Sequence, residues 1–321
     1  VTNFIRKHIT VLAGVFAYMV LYAIAAIRYD GFLSLPVFIN FLSNNAVLGI
    51  VAVGMTFVIL SGGIDLSVGA VMSFSSVLIG VLVMKYQWNI LAAIGVAVAC
   101  GTALGAIMGA IIHGTGIKPF IVTLAGMFFV RGLAFIIHLE SIAISDPGHT
   151  AIAVTRVGPL PITAVLFLLF VAVGWYVAVL TPFGRNVYAL GGGEEASLLM
   201  GLPVQRTKVA VYAVSGFCAS FAGAVLTFYL SSGSHLEGVG LELDAIATVV
   251  IGGTLLAGGV GSVLGTLVGV LMLGLILTSI TTYEGMYSSG MTRVAIGGLL
   301  LAFVLLQKTL TRRVVGVGRA T

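Results

Sequence analysis

Charge is what this sequence most lacks. Only 8% of its 321 residues are Asp, Glu, Lys or Arg, against about 25% in soluble domains. So little charge excludes an ordinary water-soluble enzyme. The net charge of +5 is too modest to point to nucleic acid, and basic loops at a membrane explain it. Cysteine is nearly absent too: Cys100 and Cys218 both lie in apolar blocks, which excludes a disulfide framework. No G-x-x-x-x-G-K-[ST], H-E-x-x-H or G-x-S-x-G pattern occurs, so neither a P-loop nor zinc-protease or serine-hydrolase chemistry is expected in this chain. The stretch GGGEEA at Gly191–Ala196 formally matches G-x-G-x-x-A. An apolar span precedes it rather than a strand, and two glutamates would repel a pyrophosphate, so a dinucleotide site is rejected.

What the chain has instead is apolar length. Hydrophobic residues make up 60% and the mean hydropathy is +1.20, which together describe an all-α polytopic membrane protein. Spans are expected at about 9–27, 46–60, 66–84, 90–112, 120–138, 162–181, 209–230, 245–256, 263–280 and 294–306, ten in all. A bilayer core of about 30 Å takes about 20 helical residues, so the shorter spans must be broken or must extend into polar neighbours. Residues 28–45 read as a surface-lying connection, and 139–161 and 231–243 as polar excursions. The first apolar block has no small-residue cleavage signal near its end, so a cleavable signal peptide is not expected.

Ten spans put both termini on one side. With the termini in the cytoplasm, ten Lys and Arg fall in inner segments and four (Arg28, Lys85, Arg156 and Arg293) in outer ones, as the positive-inside rule prefers. Gly101, Gly105, Gly109 and Gly114 share their spacing with Gly261, Gly265, Gly269 and Gly274, 160 residues later. Glycines four apart let another backbone approach closely. A repeat of five spans also makes two halves, about 9–138 and 162–306, inverted within a single domain 1–321. Two unrelated packing faces would produce the same spacing.

Two polar stretches carry the functional reading. In the cytoplasmic loop 182–208, Glu194 and Glu195 suit the positive end of a short helix, Gly201 supplies a left-handed stop and Pro203 prevents continuation. Ala196, Leu199 and Met200 fall at i, i+3 and i+4 and make one small apolar face. A capped helix with an apolar face held outside the membrane is a docking element, here expected to receive force from a separate ATPase. In Ser61-Gly62-Gly63-Ile64-Asp65-Leu66-Ser67 the glycines break a helix, and Asp65 and Ser67 can satisfy amides at the next helix start. A hinge or gate at the transport path is the alternative reading of Ser61, Gly62, Gly63, Asp65 and Ser67. Arg131, inside a span, must pair within the bundle, reach outward or line the path. His113, His138, His149 and His235 lack metal-ligand spacing and read as interfacial or surface residues. Asp244 is expected to begin the eighth span.

Four segments in order, SGGIDLSVGAVMS, KPFIVTLAGMFFVRGLAF, GGGEEASLLMGLPVQRTKVAVYAVSGFCASFAGAVL and ELDAIATVVIGGTLLAGGVGSVLGTLVG, resemble the ribose-type sugar permeases of bacterial ABC importers. Within them the chain looks most like a galactofuranose permease subunit. The resemblance implies a type II-like permease of the inner membrane, paired as a heterodimer with a second, related permease. It also implies a periplasmic sugar-binding protein and a cytoplasmic ATPase that binds the ATP and Mg, with no cofactor on this chain. The family's coupling loop maps onto Glu194, Glu195, Ala196 and Gly201. Gly193 stands where relatives often carry a polar residue such as Asn. Rival readings are an ion-gradient-driven secondary sugar transporter, a permease for ribose or another pentose, and a channel or scaffold. Against the first, acids cluster at span ends and only Arg131 is clearly interior.

Overall fold

A computed structural model describes residues 2–29 and 31–279, with positions 294, 297, 298 and 301. The expected loop 281–292 and tenth span 294–306 lie outside the described residues but for those isolated positions. In chain order the first helices are α1 (Thr2–Arg28), α2 (Leu35–Asn44), α3 (Ala46–Leu60), α4 (Val68–Met84), α5 (Ile90–Thr115) and α6 (Pro119–Ile137). A polar excursion follows, with β1 (Ile142–Ala143), α7 (Pro147–Ala153), β2 (Arg156–Val157) and β3 (Leu160–Pro161). The chain continues through α8 (Ile162–Leu180), α9 (Pro182–Gly192), α10 (Glu194–Leu199), α11 (Val204–Leu230), β4 (Ser232–Gly233), α12 (Leu241–Ile251) and α13 (Val263–Thr278).

Among the described residues, α5, α6, α8 and α11 are each long and apolar enough to cross a membrane. The α2–α3 pair, bent by 54°, makes a fifth if it is one span, while α4 and α13 are apolar but shorter. This bend corrects the expectation of a surface-lying connection over 28–45. Pro36 sits in the first turn of α2, where its missing N–H costs nothing, and Ile39, Phe41 and Leu42 are buried. At the bend, Asn45 turns its side-chain amide back to the Phe41 carbonyl at 2.8 Å.

Helix α3 is the centre of the molecule. Apolar on every side, it is buried at every residue but Val47, as a helix without a polar face must be. Around it pack α11, α8, α12 and α13. The flanking helices bury only a stripe. In α5 the buried positions are Ile90, Ala93, Ala97, Gly101, Gly105, Met108, Gly109 and Ile112, spaced three or four apart. The rest of α5 is apolar surface suited to lipid.

Both glycine stripes admit another backbone, as their spacing predicts. A Cβ on Gly105 would overlap the Tyr212 carbonyl, and one on Gly109 would lie 2.9 Å from the Val209 Cα, so α5 meets α11 backbone to backbone. A Cβ on Gly269 would lie 3.0 Å from the Gly252 nitrogen, which seats α13 on α12. The first stripe thus packs on a helix a hundred residues away and the second on its immediate predecessor. Two further expectations need correction. Helix α12 ends at Ile251 rather than near Leu256, because Gly252 and Gly253 already turn the chain, Gly253 at φ +95°. The loop 182–208 is mostly helical: α9 precedes α10, and Thr181 caps it by accepting the Gly184 N–H at 3.2 Å.

The two polar excursions fold onto each other. β1 pairs antiparallel with β4, placing Ile142 opposite Gly233, and the Ser141 hydroxyl donates to Ser234 Oγ at 3.1 Å. His149, covered by α11, and His235, just after β4, are 1% and 5% exposed, which overturns their reading as interfacial or surface residues. His149 Nε2 lies 3.2 Å from Thr227 Oγ1 of α11, and burial lowers its pKa while the Asp146 carboxylate opposes that shift. His235 packs its ring on Phe135.

Candidate functional site

Helix α10 is short, but both of its ends are tied. Gly193 lies at its N-cap with no side chain to offer, and Glu194 and Glu195 fill the first turn. Ser197, fully buried, bonds through its hydroxyl to the Gly193 carbonyl at 2.8 Å. At the other end Gly201 adopts φ +74°, its N–H bonds to the Leu198 carbonyl at 2.9 Å, and the Leu202 N–H bonds to the Ser197 carbonyl at 3.0 Å. That pair of bonds is a Schellman stop, as the position of Gly201 predicts. The apolar face it displays is broader than the sequence suggests: beside Leu199 (90% exposed) and Met200 (65%), Leu198 is 54% exposed, and Ala196 is exposed as well. Glu194 Oε1 accepts from Lys208 Nζ at 2.6 Å, tying α10 to the first turns of α11.

The end of α9, immediately before α10, reaches into the protein. There three segments meet with almost no side chains between them. The Gly259 N–H donates to the Leu60 carbonyl at 2.9 Å. A Cβ on Gly191 would overlap the Leu60 carbonyl and the Gly259 nitrogen, one on Gly258 would lie 2.8 Å from the Gly62 nitrogen, and one on Gly259 2.9 Å from the Gly192 nitrogen. Gly62, Gly258 and Gly259 all have φ between +74° and +86°, where only glycine sits without strain. The two glycine breaks, near 61–67 and 252–262, are therefore brought together at the root of the exposed helix.

Asp65 locks the first break. Its Oδ1 accepts the Ser67 N–H at 2.9 Å and the Ser67 hydroxyl at 2.6 Å, and its Oδ2 accepts the Ser215 hydroxyl of α11 at 2.7 Å. Asp65 is 1% exposed, so the bundle holds a buried acid as well as the half-buried base Arg131. Ser61 bonds through its hydroxyl to the Val58 carbonyl at 2.7 Å, closing the last turn of α3. Arg131 is remote from this cluster. Its Nη1 donates to the His235 carbonyl at 2.9 Å and reaches the Glu237 carbonyl at 3.5 Å, so it holds the excursion after β4. Ser73 holds the same excursion from α4, donating to the His235 carbonyl at 3.0 Å. Asp244 lies in the first turn of α12, as expected.

Sequence reading missed Lys208, Tyr212 and Ser215. They stand at i, i+4 and i+7 of α11, one polar stripe on a largely apolar helix facing the first break, and that periodicity was the available signal. Among the described residues no group of three or more His, Cys, Asp or Glu could hold a metal ion.

Closely packed glycine breaks, lipid-suited helices and one exposed helix closed by a Schellman stop define a multi-pass membrane protein of the transport class. The chain matches the family described as branched-chain amino acid transport system / permease component over residues 37–305, and it belongs to that permease family. It is 43% identical over 312 residues to the inner membrane ABC transporter permease protein YjfF of Escherichia coli, covering 96% of this chain and 94% of that protein. To the ribose import permease protein RbsC of Haemophilus influenzae it is 39% identical, covering 86% and 88% respectively. To the fructose import permease protein FruG of Bifidobacterium longum it is 34% identical, covering 94% and 92%. The resemblance to ribose-type ABC importer permeases is thus borne out, and these relatives are transport subunits rather than enzymes.

Proposed function

We propose that the chain is the permease subunit of an ATP-driven importer for a monosaccharide, galactofuranose, in the bacterial inner membrane. It has ten spans in two inverted halves, and both termini face the cytoplasm. The observation that carries this reading is the pairing of an exposed apolar face on α10 with a root, at the end of α9, pressed against both glycine breaks. Displacement of α10 by an ATPase moves that root, and the root moves the two places where the membrane helices are interrupted. A path along the axis shared with a second, related permease then opens to alternate sides. ATP and Mg stay with the ATPase.

The binding protein docks on the outer cap formed by 139–161 and 231–240, which β1 and β4 fasten together. Arg131 holds that cap in shape. Ser61, Gly62, Gly63, Asp65 and Ser67 act as the hinge rather than as sugar ligands, since the oxygens of Asp65 are already committed to Ser67 and Ser215. Support for galactofuranose comes from the four sequence segments, while relatives named for ribose and fructose mark the wider sugar class.

Leu199 is 90% exposed, so Leu199→Asp should leave folding and membrane level unchanged. In the reconstituted importer it should abolish uptake and the stimulation of ATPase activity by loaded binding protein. Stimulation at the wild-type level would refute the docking role. Uptake that survives loss of the ATPase but collapses with an ionophore would favour the secondary transporter instead.

A further inference from the structure

A cavity of about 370 Å³ lies between the α5–α6 turn, the first break, α10 and α11. Its volume is within the range of small-molecule sites, roughly 300–1,000 Å³. We propose that it binds a phosphate group. Lys118 and Lys208 line it against a single carboxylate, Glu194. Lys118 is exposed at the start of α6. Lys208 spends one donor on Glu194 at 2.6 Å and, as an ammonium, keeps two more.

The decisive group is Tyr212. It lines the cavity, is 2% exposed, and its hydroxyl completes no hydrogen bond even though the Ile64 backbone lies beside it. Buried hydroxyls are nearly always paired, so this donor awaits an acceptor. A Cβ on Gly63 would overlap that hydroxyl, so the phenol tip packs against the first break, and a ligand reaches it as that glycine backbone gives way. Two ammonium groups and a phenol, Lys118 from the start of α6 and Lys208 and Tyr212 from one face of α11, match the three oxygens of a terminal phosphate better than the two of a carboxylate.

A ligand here would share Lys208 with Glu194 and so loosen the ion pair that ties α10 to α11. The docking helix would then sense phosphate compounds at the inner face, among them the product of any kinase that phosphorylates the imported sugar. That inner placement rests on the orientation proposed above; binding itself does not.

The full chain in phosphatidylcholine nanodiscs is titrated with inorganic phosphate and with a hexose 6-phosphate, following Tm at constant ionic strength. A parallel series replaces part of the lipid with phosphatidylglycerol. A saturable rise in Tm with soluble phosphates assigns the site to a free phosphate, and a rise in phosphatidylglycerol alone assigns it to a lipid headgroup; either supports the proposal. Lys118→Gln, an exposed change, should weaken binding roughly tenfold to a hundredfold, and Tyr212→Phe roughly threefold to tenfold. Glu194→Gln should tighten it by freeing Lys208. Equal shifts with chloride, no shift in any series, or shifts unchanged in Lys118→Gln and Tyr212→Phe would overturn the site. Because the readout is binding, such a failure leaves the importer assignment untouched.

Discussion

Removing the Asp65 carboxyl should cost more stability than any other single polar change in the hinge. Three donors converge on it: the Ser67 N–H at 2.9 Å, the Ser67 hydroxyl at 2.6 Å and the Ser215 hydroxyl at 2.7 Å. In Asp65→Ala the Ser215 hydroxyl can rotate toward the carbonyl one helical turn back, as serines commonly do, and the Ser67 hydroxyl, which stands ahead of α4, is free to turn as well, so each loses about 1 kcal/mol. The Ser67 amide has no such freedom, and a stranded buried donor costs about 1–3 kcal/mol. The sum is about 3–5 kcal/mol. Asp65→Asn keeps an acceptor for Ser67 and can donate its amide to the Ser215 hydroxyl, so about 1 kcal/mol is expected. Ser215→Ala, which removes one charge-assisted bond, should cost about 1–2 kcal/mol. The double variant Asp65→Ala/Ser215→Ala should fall short of additivity by about 1 kcal/mol, because the shared bond is lost only once. Unfolding in mixed micelles, followed by the fluorescence of Trp88 and Trp175, measures all four. An Asp65→Ala variant within about 1 kcal/mol of the wild type, or a strictly additive double variant, would refute the assignment of Asp65 as the lock.

Two further outcomes follow from the packing. Gly259→Ala must place a Cβ at φ +74° and 2.9 Å from the Gly192 nitrogen, for about 2–4 kcal/mol of strain and overlap. Gly240→Ala, at φ +89° with open space around it, should cost only about 1–2 kcal/mol, and equal losses in both would deny the close approach. His149, buried with its pKa lowered by burial, binds fewer protons folded than unfolded. Its contribution is therefore complete above the free-imidazole value of about 6.5 and is lost as pH falls below that value. The stability advantage of wild type over His149→Gln should shrink between pH 7.5 and the acid side of that value, as thermal scans would show; an advantage that is flat or grows on acidification would contradict the buried neutral ring.

Apolar runs closed by abrupt polar or glycine signals were legible from the residues alone. The α3, α5 and α8 starts at Ala46, Ile90 and Ile162 fall where the sequence places them, and the Schellman stop at Gly201 follows from one glycine and one proline. Helix α9 was not legible, because its polar residues matched a loop and only its buried Gly184, Val187 and Leu190 show which face it packs. Burial of His149 and His235 escaped for a different reason. His149 is covered by Thr227 and Phe228 of α11 and His235 follows β4, whose partner β1 lies some ninety residues earlier, and no local pattern carries either contact. The bend at Asn45 sits between the two, since Pro36 signals a helix start while the turn at Asn45 is set by tertiary packing, where a Cβ on Gly274 would overlap the Asn45 side chain.

The meeting of Gly62, Gly191, Gly192, Gly258 and Gly259 also has a bearing on how smoothly the protein can move. Interlocked side chains must change rotamer before two elements slide past each other, and each change is a barrier. Here the surfaces are bare peptide planes joined by one hydrogen bond, from the Gly259 N–H to the Leu60 carbonyl. The junction therefore has few rotamers to rearrange, so a displacement of the α9 end passes to both breaks through peptide planes in direct contact rather than through a repacking of side chains.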